Sequence, residues 1–234
     1  MICLKFTVAG VGPGDPALVT VGALELVKNA DIVLSPHSKM ERASVAEQAV
    51  AAHIPDLVTT PILFPMTNDA EKRDALLMEQ LEALRPQWQG ARSIVLPVIG
   101  DSTLYATGFY LYELWKKLVP DLELELLPGI SAHCLAAAKS TSFLAMGTEI
   151  LTIIPATAPE ERIIAALKST DSAAVYKPSA LKGRLRAVVE SAGEWKKILR
   201  IDRAGLPDQR VLEGSEALEQ AKEYLSILLL WRSR

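Results

Sequence analysis

Cysteine and histidine are scarce in this chain. Its 234 residues hold two cysteines, Cys3 and Cys134, and three histidines, His37, His53 and His133. The cysteines form no CxxC pair, which excludes the common thiolate zinc sites and fits a reducing cytoplasm. The histidines are scattered as well, so no protein-held metal is expected. Long apolar runs are also missing. The longest, Tyr224–Trp231, falls far short of the ~20 residues that cross a bilayer. Lys5 interrupts the apolar stretch near the N-terminus, which reads against a secretory signal. Positive charge is not in surplus: the formal net charge is −3 and the pI about 5.7. A protein that coats nucleic acid needs a basic face, so neither nucleic acid nor membrane is an expected partner.

What is present is a globular balance, 50% apolar and 23% charged. A chain of this length buries a core without disulfide or metal staples. At roughly 100–200 residues per domain, it makes one large domain or two small ones. Apolar, β-rich runs alternate with helical patterns throughout. Strands are predicted at 4–9, 31–35, 57–63, 93–99 and 122–127. Helices are predicted from Thr20 as N-cap to Asn29, over 44–53, from an Asn68/Glu71 capping box through Leu77, Leu81, Leu84 and Trp88, and over 103–118. The run at 93–99 is apolar on both faces, as a covered parallel strand would be. After Pro128-Gly129 the pattern restarts, with strands at 149–154, 173–176, 197–201, 209–212 and 225–231. This alternation predicts α/β layers with largely parallel sheets. About five strands fall on each side of Pro128. The expectation is therefore two α/β domains, 1–127 and 128–234, each with a largely five-stranded mixed or parallel sheet flanked by helices, and a ligand site in the cleft between them. Residues 1–127 hold 10 Lys+Arg and 16 Asp+Glu, a net of −6; residues 128–234 hold 15 and 12, a net of +3. A mildly basic second half suits an anionic small substrate, or it is ordinary variation among solvated faces.

Three loops stand out. Gly10-Val11-Gly12-Pro13-Gly14-Asp15-Pro16 follows the first strand. It fails the dinucleotide fingerprint, because the third glycine of GxGxxG would fall on Asp15 and because Pro13 removes an N–H. No GxxxxGK[ST] loop occurs elsewhere. Either this is a tight strand-to-helix turn or it lets a ligand approach the backbone closely. Gly100-Asp101-Ser102-Thr103-Leu104-Tyr105 sits where a buried strand meets a helix, a usual ligand position in open α/β sheets. Asp101 could accept hydrogen bonds from a ligand, or Asp101 and Ser102 could simply cap that helix. Pro128-Gly129-Ile130-Ser131-Ala132 is the third strand end, or a linker with Ser131 as N-cap.

In this order and spacing, GVGPGDPALVT, GDSTLY and PGISA resemble the tetrapyrrole (corrin/porphyrin) methyltransferases. VYKPS at 175–179 and RAGLPDQRV at 203–211 agree. Within that family, Pro36-His37-Ser38-Lys39 with Ser44-Val45-Ala46, then Phe64-Pro65-Met66-Thr67 and Ile154-Pro155-Ala156, resemble the subgroup that methylates the C(20) meso carbon of precorrin-2 or cobalt-factor II. Ser102 departs from the pattern, since the family usually has Pro after Gly-Asp. The resemblance implies a cytoplasmic homodimer that uses S-adenosylmethionine in cobalamin biosynthesis. It implies cofactor contacts at Pro13, Gly100, Asp101, Thr103, Leu104, Ser131, Ala132, Tyr176 or Lys177, Ala204, and Ile227 or Leu228. His37, Lys39, Arg42 and Arg184 are candidate contacts for the substrate's carboxylates, with a surface role the alternative for each. Asp101 or Tyr105 would take the proton that leaves the methylated carbon, unless water does. Methylation of another ring position (C-11, C-17 or the uroporphyrinogen III type) is the rival within the family. A nicotinamide-dependent oxidoreductase is the rival outside it, and the failed glycine fingerprint disfavours it.

Overall fold

A computed structural model describes residues 4–38, 44–65, 67 and 69–233. They fall into two compact units, Met1–Ser131 and Ala132–Arg234. No helix among the described residues is long and apolar enough to cross a membrane.

The first unit runs β1 (Lys5–Gly10), α1 (Val21–Asn29), β2 (Ile32–His37), α2 (Val45–Ala51), β3 (Thr60–Leu63), α3 (Ala70–Ala83), α4 (Arg85–Trp88), β4 (Ser93–Val98), α5 (Gly108–Leu118) and β5 (Glu123–Leu127). Its five strands are ordered β3-β2-β4-β1-β5, all parallel. Strand alternation sends Phe6, Val8, Ile94, Leu96 and Val98 to one face, where they pack with Leu77, Leu81, Leu111, Leu114 and Trp115 of α3 and α5. Ala9, Val11, Val33 and Val95 go to the other face, against Ala23, Val27, Ala46 and Val50 of α1 and α2. Both faces of β4 are thus covered, as its unbroken apolar run requires. Trp115 packs on Phe6 with ring centroids 5.3 Å apart and on Trp88 at 5.6 Å, geometries worth about 0.5–1.5 kcal/mol each beyond area burial.

Local signals account for several helix starts. The Thr20 hydroxyl accepts from Ala23 N and that of Ser44 from Glu47 N, each satisfying an N–H that the helix leaves unpaired. Two expectations change. Asn68 lies outside the described residues, and the cap is Asp69, whose carboxylate accepts from Lys72 N at 3.1 Å. The helix through Trp88 breaks at Leu84, because Pro86 has no N–H to give to the preceding turn and sits instead in the first turn of α4, where none is needed.

The second unit runs α6 (Ala132–Lys139), β6 (Leu151–Pro155), α7 (Glu160–Lys168), β7 (Ser172–Tyr176), α8 (Leu185–Glu190), β8 (Lys197–Asp202), β9 (Arg210–Glu213), α9 (Gly214–Ala217) and β10 (Ser226–Trp231). Its five strands are ordered β6-β7-β10-β8-β9. Only β6 and β7 are parallel, since β10 lies antiparallel to both β7 and β8, and β8 to β9. The expected parallel bias fails here for a physical reason. The segment 203–209 between β8 and β9 is too short for a parallel crossover, and short connections make antiparallel neighbours. The core gathers Ile154, Ile163, Leu167, Val175, Leu185, Val188, Leu228 and Leu230.

Candidate functional site

The loops after β1, β4 and β5 converge because their strands are neighbours. In the order β4-β1-β5, the carboxyl ends of three parallel strands lie side by side. The chain leaves β1 toward β2 on one side and leaves β4 toward β5 on the other. Right-handed crossovers therefore carry the following helices to opposite faces, and at such a switch the loops part and leave a crevice.

The backbones meet closely there. Gly12 and Gly100 exchange hydrogen bonds, Gly100 N donating to Gly12 O at 2.7 Å and Gly12 N to Gly100 O at 3.2 Å. A Cβ on Gly10 would lie 2.6 Å from Gly129 N, and one on Gly129 would lie 2.6 Å from the Gly10 carbonyl carbon. Only glycine fits either position. Gly100 differs: its φ is +79°, yet an added Cβ would meet nothing within 4 Å. Its backbone borders open space, as a surface that takes a ligand against the main chain must.

Asp101 ties this junction together. One carboxylate oxygen accepts from Thr103 N at 2.8 Å and from the Thr103 hydroxyl. The other accepts from Gly129 N at 2.8 Å. The expected helix over 103–118 is absent at its start. Residues 101–107 form a turn with Tyr105 at φ 55°, and α5 begins only at Gly108, where a Cβ would lie 2.6 Å from Val8 Cγ2. Asp101 and Ser102 therefore do not cap a helix. Ser102 is buried, and its hydroxyl has no hydrogen-bond partner among the described residues. Pro13 and Gly14 are buried beside this junction, Leu104 is half-buried and Thr103 exposed, and Asp15 caps the short turn Pro16–Leu18 by accepting from Ala17 N at 3.0 Å. Tyr105 is 39% exposed. Burial of part of its ring pushes its phenol pKa up, so it stays protonated at neutral pH and suits donating rather than accepting a proton.

His37 ends β2, the strand next to β4. It is not a loop-surface residue: only 11% of its side chain is exposed. Its Nε2 lies 2.9 Å from Ser35 Oγ, which donates to Glu47 Oε2 at 2.6 Å, while Thr59 donates to the other Glu47 oxygen at 2.9 Å. Sequence reading missed Ser35, Glu47 and Thr59. The spacing Ser44 to Glu47 looks like ordinary helix capping, and the glutamate instead turns to Ser35. Lys39 and Arg42 lie outside the described residues.

Ser131 closes the first unit and Ala132 opens α6 of the second; both are half-buried. Tyr176 ends β7, its hydroxyl 2.7 Å from His133 Nδ1. Lys177 follows with φ 56°, a left-handed conformation that costs a non-glycine residue about 1–3 kcal/mol and concentrates at functional sites. Burial pushes its ammonium pKa down. Ala204 is buried just after β8. Ile227 pairs with Tyr176 across the β10–β7 ladder. Its neighbour Leu228, fully buried, packs into the core with Ile154 and Val175. Arg184 is 65% exposed and pairs with Glu160 at 3.1 Å, so it clamps a neighbour on the surface. Cys134, in α6, is exposed.

The family model described as Tetrapyrrole (Corrin/Porphyrin) Methylases matches residues 5–218. A precorrin-2 C(20)-methyltransferase from Sinorhizobium sp is 25% identical over 236 residues, covering 96% of this chain and 95% of its own. A cobalt-precorrin-2 C(20)-methyltransferase from Salmonella typhimurium is 28% identical over 207 residues, covering 88% and 86%. Among solved structures, a uroporphyrin-III C-methyl transferase from Thermus thermophilus, complexed with S-adenyl homocysteine, superposes with a TM-score of 0.68 at 18% identity, covering 97% of each chain.

Proposed function

Because this chain belongs to the tetrapyrrole (corrin/porphyrin) methylases, we propose that it methylates the C(20) meso carbon of precorrin-2 or its cobalt complex in cobalamin biosynthesis. It is a methyltransferase, and two relatives that align with most of the chain bear that activity by name. S-adenosylmethionine supplies the methyl group on a sulfonium, which activates it for transfer to carbon.

The observation that carries the site assignment is the glycine junction with its open backbone at Gly100. A zwitterionic, adenine-bearing ligand needs main-chain hydrogen bonds and a few directed polar groups. The junction provides close backbone approach and the Thr103 hydroxyl. Pro13, Gly100, Asp101, Thr103 and Leu104 are the cofactor residues of this unit. Asp101 acts by holding Gly129 and Thr103, so its carboxylate fixes the loops rather than moving protons. Ser131, Ala132, Tyr176, Lys177, Ala204 and Ile227 are the proposed cofactor residues beyond it. The ring carbon is already electron-rich through conjugation, so the chain's main task is alignment, an entropic contribution that reaches roughly 7–11 kcal/mol. The same reading makes the protein a cytoplasmic homodimer.

The decisive experiment supplies methyl-labelled S-adenosylmethionine with precorrin-2 and, separately, with its cobalt complex, and maps the label by NMR. Label at C(20) is the expected result. Label at another ring carbon would move the protein to a different regiospecificity within the family, and no transfer to either ring would overturn the proposal.

A further inference from the structure

Resting on the reading that Ala204 is a cofactor residue, we propose that Arg203 and Asp208 form a latch across the 203–209 loop and are positioning residues for S-adenosylmethionine. The latch holds Arg203 in a left-handed conformation and so sets the backbone at Ala204, the next residue.

The placement follows from strand register within the second unit. β7 and β8 both run antiparallel to β10, which lies between them, so their carboxyl ends share one sheet edge. Ile227 pairs with Tyr176 on one side and with Ile201 on the other, and Ser226 pairs with Asp202. Lys177 follows β7 and Arg203 follows β8. Both are left-handed, with φ 56° and 55°. Two strained non-glycine residues thus stand two strand spacings apart, on the edge that also carries Tyr176, Ile227 and the buried Ala204. Such outliers persist only where their surroundings enforce them, and they cluster at ligand clamps.

The enforcing contacts at Arg203 are these. Its N donates to Leu225 O at 2.6 Å, and Leu206 N donates to its carbonyl at 3.0 Å, so the backbone is pinned on both sides. Its side chain reaches five residues onward, where Nε lies 2.6 Å from Asp208 Oδ2. The guanidinium lowers the pKa of the Asp208 carboxyl, which keeps the pair ionised at neutral pH. Gly205 N donates to Gln209 Oε1 at 2.9 Å and Gln209 N to Leu206 O at 3.0 Å, closing the loop a second time. Both latch side chains are partly exposed, so the pair contributes little to global stability. Its effect is local. Strain at Arg203 favours a relaxed loop, and the latch opposes it. A ligand binds more weakly by the factor in which its competent conformer is depleted. Opening the latch therefore lowers affinity without altering the transfer step.

Isothermal calorimetry with S-adenosylmethionine tests this. Asp208→Ala and Arg203→Ala should each bind about tenfold more weakly, and the two together no more weakly than either alone. Glycine takes positive φ without strain, so Arg203→Gly should cost less than about threefold. In the Asp208→Ala background, Arg203→Gly should raise affinity, a reversal of sign that loss of a cofactor contact would not give. In methylation of precorrin-2, KM for S-adenosylmethionine should rise with these losses while kcat stays within about twofold. Wild-type affinity in Asp208→Ala would overturn the latch. Equal losses in Arg203→Gly and Arg203→Ala would overturn backbone positioning, and so would a fall in kcat at unchanged KM. Thermal unfolding checks that each variant is folded. Amide hydrogen exchange at Leu206 in the unliganded protein, expected to quicken in Asp208→Ala, separates the two ways to fail. Quickened exchange with wild-type affinity would remove Ala204 from the cofactor site, whereas unchanged exchange would show that Asp208 does not hold the loop.

Discussion

Gly129→Ala should abolish useful S-adenosylmethionine binding, lowering affinity by at least about 100-fold, the loss that a 1 Å misplacement of a binding element can cause. The new Cβ would lie 2.6 Å from the Gly10 carbonyl carbon and 2.7 Å from its oxygen. These are backbone atoms at the end of β1, an inner strand of the sheet, so they cannot rotate aside as a side chain would. The end of β5 must lift away from β1. The bond from Gly129 N to Asp101, 2.8 Å long, is then stretched, and Asp101 releases its hold on the 101–105 turn. Overpacking of this kind costs about 1–3 kcal/mol, so the first unit should remain folded while its loops spread. Isothermal calorimetry with S-adenosylmethionine, paired with thermal unfolding, separates the two effects. Wild-type affinity in a variant of lowered stability would remove the glycine junction from the cofactor site.

Asp202→Ala should be the most destabilising single change in the second unit, at about 3–5 kcal/mol and a fall in Tm of more than about 10 °C for a unit of this size. Asp202 is fully buried. One oxygen accepts from Arg200 Nε at 3.1 Å and Ser226 Oγ at 2.7 Å, and the other from Arg210 at 3.2 Å. Arg200 is itself buried, with its guanidinium also donating to the carbonyls of Ala217 and Glu219. Alanine at 202 leaves that cation uncompensated in the protein interior, which is why the cost exceeds the worth of the pair. Replacing both partners, Arg200→Met with Asp202→Leu, should recover part of the loss, because no buried charge remains while two carbonyls still lack their donor. Differential scanning calorimetry reads both variants. A loss below about 1 kcal/mol for Asp202→Ala would mean that water reaches the cluster.

Much of this was legible in the residues alone, and the reason is range. Thr20 and Ser44 cap helices through bonds to the third residue onward, so their role shows in a few consecutive letters. The 93–98 strand announced its two covered faces by having no polar residue after Ser93 to place outside. The three loops, too, stood out by their glycine, proline and small polar content, and their ordered resemblance named the family. Where the reading failed, a distant partner had overruled the local pattern. The 103–118 stretch has helical periodicity, yet Asp101 reaches 28 residues along the chain to Gly129, and the turn it fixes delays α5 to Gly108. Ile227 and Leu228 could not be told apart by sequence, because β10 is buried on both faces.

The sequence by itself determined the α/β character, the two five-stranded sheets, the family and the loops that gather its chemistry, because each is written in periodicity or in contiguous motifs. Tertiary structure alone decided which groups can act. The order β4-β1-β5 brings Gly10, Gly100 and Gly129 within touching distance, although the chain separates the first and last by more than a hundred residues. The packing of α2 on β2 sets Glu47 behind Ser35 and so orients His37. Strand order and helix packing are properties of the whole fold, settled by which apolar faces can be buried together, and no short stretch of sequence encodes them.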